Sequence, residues 1–516
     1  MVKITREPST AASQIYDLII VGGGIYGVML SLEASRRGLR SLILERDDFG
    51  GATSYNSLRI VHGGLRYLQT LDLHRFFESV RERHWFLQKF PDLVKPLPCL
   101  MPLYGNGARR PLILRIALLL NDILAYNRNY KVRSDRHLSP GEVVTAEQVQ
   151  RIFPLVDKQG LQGGAIWYDA SMPDSQRLLI SLLLWACALG GTALNYVEAQ
   201  KLLKSNSSVA GVLAKDLISG QSYEYKAKVV VNAAGPWCRE VAANFDRDLP
   251  ELFKSSIAWN ALVDRKALSD FALAVAPKKP GASTYFIRPW KGMMLAGTIH
   301  NPWSDSIKHN PLPTPTQLTD CLEDLNDAIP GLDLQQNEIL RIFSGLLPVT
   351  ESDSAKLAVR EVIVEHAKHG GSQGLYSVSG VKFTTSRLVA EKTIKKIFPG
   401  RQLSKNNGNT TSIPPQNLQS RRGIFDYHWH PNSDNLLWKV ELSEIIKEES
   451  VQHLDDLILR RTSIGDNPDR ALSAAAIICE LFDWDDARCQ LEIAKIKEYF
   501  SQRKSQPINH SLVVVI

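Results

Sequence analysis

What the sequence lacks narrows the field first. Its six cysteines, Cys99, Cys187, Cys238, Cys321, Cys479 and Cys489, are scattered with no C-x-x-C spacing, which speaks against a disulfide scaffold or a zinc site; no metal is expected. Long apolar runs are missing too. The longest, Leu178 to Leu189, falls short of the roughly 20 residues that a bilayer span needs and reads as a buried helix. Residues 1–13 carry Lys3 and Arg6 but no apolar h-region, so no signal peptide is expected and the expected address is cytoplasmic. A net charge of +7 over 516 residues permits contact with an anionic surface without calling for nucleic acid. With 44% hydrophobic and 22% charged residues the chain reads as globular, with roughly two or three domains.

Against these absences one stretch stands out: Asp17-Leu18-Ile19-Ile20-Val21-Gly22-Gly23-Gly24-Ile25-Tyr26-Gly27-Val28. The apolar run predicts a buried parallel strand, and Gly22, Gly24 and Gly27 fit G-x-G-x-x-G. Gly22 serves a sharp turn, Gly24 lets backbone amides approach a pyrophosphate, and Gly27 lets the following helix pack against the strand. Ile25 and Tyr26 open that helix, which stops near Gly38. A second strand, Ser41 to Leu44, ends on Glu45 and Arg46, roughly twenty residues on, where a carboxylate accepts from ribose hydroxyls. Strand, glycines, helix, strand and acid in this order predict an adenine dinucleotide site. Glu45 disfavours a 2′-phosphate by like-charge repulsion. With one fingerprint and no redox cysteine pair, tightly held FAD is a better expectation than NAD.

Downstream, Asp48 to Leu68 is a loop of small and hydroxylated residues ending in Ile60-Val61-His62-Gly63-Gly64-Leu65-Arg66-Tyr67-Leu68. It resembles the A-T-S-S-x-S-S-K-L-I-H-G-G-L-R-Y-L segment of FAD-dependent glycerol-3-phosphate dehydrogenases, within the D-amino-acid-oxidase-like flavoenzymes. The resemblance implies that Thr53, Ser54, His62, Gly63, Gly64 and Leu65 lie near the flavin, and that Arg66 and Tyr67 reach the substrate. Lys228 to Trp237, a strand ending in small residues, resembles the stretch that places Ala233, Ala234, Gly235 and Trp237 beside the cofactor. Leu375 to Ala390 resembles the family's G-G-K-L-T-T-Y-R, implying flavin contacts from Gly380, Lys382, Phe383 and Thr384 and a substrate role for Lys382. Arg360, in Ala358-Val359-Arg360-Glu361, matches a phosphate-binding arginine.

Two positions depart from the family pattern. Leu347 stands where S-G-V-R-P-L has arginine, and Asn260 where G-S-H has histidine, so Asn260 is expected at the reacting centre. Loss of a cation and of a base from one pocket suggests a substrate other than glycerol 3-phosphate. The resemblance implies an α/β fold in three parts. A discontinuous Rossmann-like FAD-binding domain would span 14–90, 160–240 and 343–400. A substrate domain with an antiparallel sheet would span 91–159 and 241–342, and a small helical domain 425–516. Within these, Phe76 to Phe90 and Thr316 to Ile329 read as helices, Pro91 to Pro111 as irregular and Gln402 to Asn417 as a linker. Arg109 to Leu124 is basic and then strongly apolar, and reads either as a core helix or as a peripheral contact with the anionic inner face of the cytoplasmic membrane. The leading function is an FAD-dependent dehydrogenase passing electrons from a secondary alcohol to a quinone or another acceptor. An oxidase of amines or 2-hydroxy acids using O2, and a flavin-binding protein without catalysis, stay open, as does a homodimer.

Overall fold

A computed structural model describes residues 2–68, 70–105, 107, 110–249, 252, 254–279, 282–303, 311–349, 357–358, 360–403, 414 and 437–503. In chain order the elements that position the site begin with β1 (Leu18–Val21), α1 (Ile25–Ser35), β2 (Ser41–Leu44) and α2 (Leu73–Lys89). They continue with β3 (Lys95–Leu103), α3 (Pro111–Leu124), β4 (Gly163–Ser171), α4 (Ser175–Ala188) and β5 (Val230–Asn232). The series closes with β6 (Ser255–Lys266), β7 (Met293–Pro302), β8 (Ile339–Pro348), β9 (Leu375–Ser379) and α5 (Ser386–Ile397).

Among the described residues the strands form sheets of four, six and nine strands. The six-stranded sheet runs Val362–Glu365, β9, β5, β1, β2, Thr192–Leu194, parallel throughout except at its Val362–Glu365 edge. Every residue of β1 and β2 is buried, as continuous apolar strands covered on both faces must be. α1 packs against both α4 and α5 and is therefore buried almost all the way round. The nine-stranded sheet runs β8, β6, β7, Tyr285–Trp290, Ala272–Val275, β3, β4, Ile60–Val61, with Glu142–Val144 paired to β4. The cavity lies between these two sheets and is lined from both.

Several expectations need correction. Pro91 to Pro111 is not irregular throughout: β3 pairs with β4 from Lys95 to Leu103 although it contains Pro96, Pro98 and Pro102. The three prolines occupy alternate positions, so their missing donors all face one side of the strand. The other side stays intact, as the Leu103 carbonyl accepting from Gln162 N shows. On the proline side the parallel ladder to Ala272–Val275 pairs only Cys99 and Leu100. β4 and most of β8, expected with the cofactor-binding part, lie in the nine-stranded sheet, because long antiparallel registers with β3 and β6 claim them.

α3 buries Leu114 and Leu118, while Leu112, Ile113, Ile116, Leu119, Leu120 and Ile123 are exposed at helical spacing. Arg109 lies outside the described residues, as do most of 402–417 and the ends of the expected helical domain. Among the described residues no helix is long and apolar enough to cross a membrane.

The C-terminal segments Leu437–Glu448, Asp456–Arg461, Pro468–Cys479 and Asp486–Arg503 are helical. The short Asp456–Arg461 helix is pinned to the loop after β2. Asp48 accepts from Arg460 Nε at 2.6 Å, from Arg461 Nη1 and Nη2 at 2.7 Å each, and from Asn195 Nδ2 at 2.9 Å. Burial opposes charge on Asp48, but the two guanidiniums hold its carboxyl well below the usual range.

Candidate cofactor and substrate site

At one end of the cavity the backbone itself makes the surface. Gly22 has φ +106°, and a Cβ there would lie 2.7 Å from the Ala233 carbonyl oxygen. A Cβ on Gly27 would overlap the Gly22 carbonyl, so β1 and α1 meet at backbone contact. Gly24 caps α1 without a side chain and lines the cavity, where Ile25 N donates to Ser54 Oγ at 3.0 Å. Opposite, Glu45 accepts from Gly23 N at 2.6 Å and from Asp47 N at 2.9 Å. Burial, with the Asp47 charge adding, pushes its carboxyl up to about 7. The Arg46 guanidinium lies over the Trp237 ring, 4.8 Å from its centre. Ala233, Ala234 and Gly235 line the same end with no bulk.

The other end gathers polar side chains. The Tyr26 hydroxyl donates to Lys382 O at 2.9 Å and accepts from Lys382 N at 3.1 Å. Its ring fills the space that a Cβ on Gly380 would need, so Gly380 and Tyr26 together set Lys382. Lys382 Nζ lies 4.4 Å from the centre of the Tyr67 ring, and the Arg75 guanidinium 4.6 Å from it. Burial first, then the charge of Arg66, lower Lys382 to about 8. Arg66 is exposed at the rim.

Asp169 accepts from Gly63 N at 2.6 Å and from Arg83 Nη1 at 3.1 Å, and its Oδ2 lies 3.6 Å from His62 Nδ1. Burial works against ionisation of Asp169, but His62, Arg83 and the Gly63 amide hold its carboxyl below the ordinary value. The His62 amide donates to Thr384 Oγ1 at 3.3 Å, and Thr53 Oγ1 donates to Leu346 O at 3.1 Å, so the loop before Arg66 is tied to both sheets.

Most residues named from the sequence share one wall. Gly22, Gly24, Ile25, Tyr26, Glu45, Arg46, Thr53, Ser54, His62 and Gly64 to Tyr67 line a single cavity of about 1910 Å³. So do Ala233 to Gly235, Trp237, Asn260, Gly380 and Lys382 to Thr384. Gly27 and Gly63 lie behind the wall as packing positions: Gly63 leaves room for the Arg83 guanidinium. Arg360 is a correction. It is exposed, off the cavity wall, and near enough to Asp72 to help lower that carboxyl. Asn260 is another, since its amide is spent on neighbouring backbone, with Nδ2 donating to Asn56 O at 3.3 Å and Oδ1 accepting from Thr298 N at 3.4 Å. Leu347 lines the cavity as an apolar patch. Sequence reasoning missed Arg75, Arg83, Asp169 and His300. Asp169 sits on β4 and His300 on β7, and neither carries a local signal.

These features fit FAD. The cavity far exceeds the ~300–1000 Å³ of ordinary ligand pockets, and one end sets a helix start and its glycines beside the Glu45 carboxylate.

The family model described as FAD dependent oxidoreductase matches residues 17–395. A glycerol-3-phosphate dehydrogenase of Synechocystis sp. is 28% identical, over 94% of this chain and 96% of that protein. The mitochondrial glycerol-3-phosphate dehydrogenase of Homo sapiens is 27% identical over 80% of this chain; only 58% of its own length is spanned. Among solved structures, the glycerol-3-phosphate dehydrogenase of Bacillus halodurans complexed with FAD shares the fold with a TM-score of 0.70 at 19% identity, covering 97% of each chain. The L-α-glycerophosphate oxidase of Mycoplasma pneumoniae with FAD bound gives 0.55 at 15% identity, over 78% of this chain and 99% of that one. This chain belongs to the family of FAD-dependent oxidoreductases, among relatives that are glycerol-3-phosphate dehydrogenases.

Proposed function

We propose that this FAD-dependent oxidoreductase oxidises the secondary alcohol of an anionic or polyol-type compound other than glycerol 3-phosphate. The observation that carries the reading is the unequal wall at the reacting end. Arg66, Lys382 and Arg75 gather around Tyr67, while Leu347 occupies the position at which the family pattern has arginine.

Bound FAD supplies the hydride acceptor. The amides at the start of α1 take the pyrophosphate, and Glu45 accepts from ribose hydroxyls. Arg66 and Lys382 hold the substrate's anionic group, with Tyr67 orienting it between them. The six-stranded sheet serves the cofactor and, through Lys382 after β9, the substrate that the nine-stranded sheet covers. Electrons leave to a quinone at an anionic membrane, on which α3 lies with its exposed apolar face down and Arg110 and Arg115 beside the headgroups.

The test is anaerobic bleaching of the flavin by a panel of polyol phosphates and hydroxy acids. A panel member should bleach it faster than glycerol 3-phosphate does, and bleaching by glycerol 3-phosphate at an ordinary rate would overturn the substrate reading. Peroxide formed in air would replace the quinone by O2. Ile116→Glu with Leu119→Glu should abolish co-sedimentation with anionic vesicles while turnover with a soluble acceptor stays unchanged.

A further inference from the structure

β7 carries one histidine on the cavity wall, His300. Between β6 and β7 the ladder contains a β-bulge. Trp259 pairs with Ile299 and Ala261 with Ala296, so the single residue Asn260 faces two, Gly297 and Thr298. Asn260 holds this bulge. Its Oδ1 accepts from Thr298 N at 3.4 Å, and it fills the space that any side chain at Gly297 would need. Thr298 sits at φ +70°, a left-handed conformation that a β-branched residue keeps only when its surroundings impose it; its hydroxyl reaches Thr284 O at 3.1 Å.

Just past the bulge, His300 stands opposite Ala258, and both line the cavity. Among the described residues, no hydrogen-bond partner meets its buried Nδ1. The charged group that acts on it there is Arg66, the same guanidinium that acts on Lys382. His300 is thus an imidazole on the cavity wall, beside one cation and with a buried nitrogen that no protein group engages among the described residues.

We infer that His300 accepts the hydroxyl proton of the substrate, and that Asn260 is the positioning residue that sets the bulge so that the imidazole faces the cavity. The inference rests on the alcohol-oxidation reading above. The O–H bond breaks and its proton goes to the ring nitrogen. The C–H bond breaks with its electron pair going to the hydride acceptor that bound FAD would supply, and the carbon–oxygen bond becomes a carbonyl. Burial first, then Arg66, depress the imidazole below 6.5, so it is neutral and able to accept at pH 7.

The experiment uses the FAD-loaded enzyme. In single turnover with the best alcohol of the panel, His300→Gln should slow flavin reduction by roughly 10²–10⁴-fold with little change in substrate affinity. Asn260→Ala should slow it less, and Asn260→Asp, which keeps an acceptor for Thr298 N, should recover most of the loss. Independently of any alcohol, ¹⁵N-histidine NMR should show one resonance, missing in His300→Gln, that is neutral at pH 7, titrates below 6.5 and moves in Asn260→Ala. Flavin reduction at the normal rate in His300→Gln, or a resonance charged at pH 7 or indifferent to Asn260→Ala, would overturn the inference. If no alcohol bleaches the wild-type flavin, the functional reading falls instead, while the NMR result still decides where the imidazole stands.

Discussion

At the glycine end of the cavity the wall is largely main chain from one short stretch, Gly22 to Ile25, closed by Glu45 and by the small residues after β5. At the other end the wall is side chain, with Lys382 from the turn after β9, Arg66 and Tyr67 from the short helix Leu65–Leu68, and His300 and Asn260 from paired strands. The first arrangement resists substitution at Gly22 and Gly27, where a single methyl group meets backbone. The second tolerates exchange of one functional group for another, provided the register that brings strands together survives. This is why the cofactor end matches the family pattern closely, while Leu347 and Asn260 depart from it at the substrate end.

The comparison can be broken most severely from a distance. Arg461→Met removes one of the two guanidiniums that compensate the buried Asp48 beside the cofactor loop, and should cost about 3–5 kcal/mol in urea unfolding. Gly27→Ala should cost about 1–3 kcal/mol, since the new methyl overlaps the Gly22 carbonyl, and should yield protein with a much reduced flavin-to-protein absorbance ratio. At the reacting end, Lys382→Met should leave the yellow colour intact and lower kcat/KM for an anionic substrate by about 2–3 kcal/mol. Lys382 must keep its proton to pair with an anion, so in the wild type kcat/KM should fall as pH rises through about 8, and this limb should vanish in the variant. Leu347→Arg should have the smallest effect, raising kcat/KM for glycerol 3-phosphate roughly tenfold, about 1.4 kcal/mol, with no loss of FAD.

What was legible in the chain follows the same division. β1, the glycines, α1, β2 and Glu45 lie within one short stretch, and their order alone specifies the cradle. The prolines of β3 misled because a proline count carries no information about which strand edge the missing donors face. Asp48 and Arg461 are separated by 413 positions, so their bond has no local signature. His300 depends on a bulge whose partner lies on another strand, and Asn260 gave no sign that its amide was already engaged. Arg360 matched a motif, but the chain path leaves it on the outside.

The two faces of α3 also set a length. Leu114 looks into the cavity, and Leu112, Ile116, Leu119 and Ile123 look outward. Only the width of one helix, roughly 10 Å, separates the two. On the reading proposed above, an electron carrier in a lipid layer under that outer face stands one helix away from the interior.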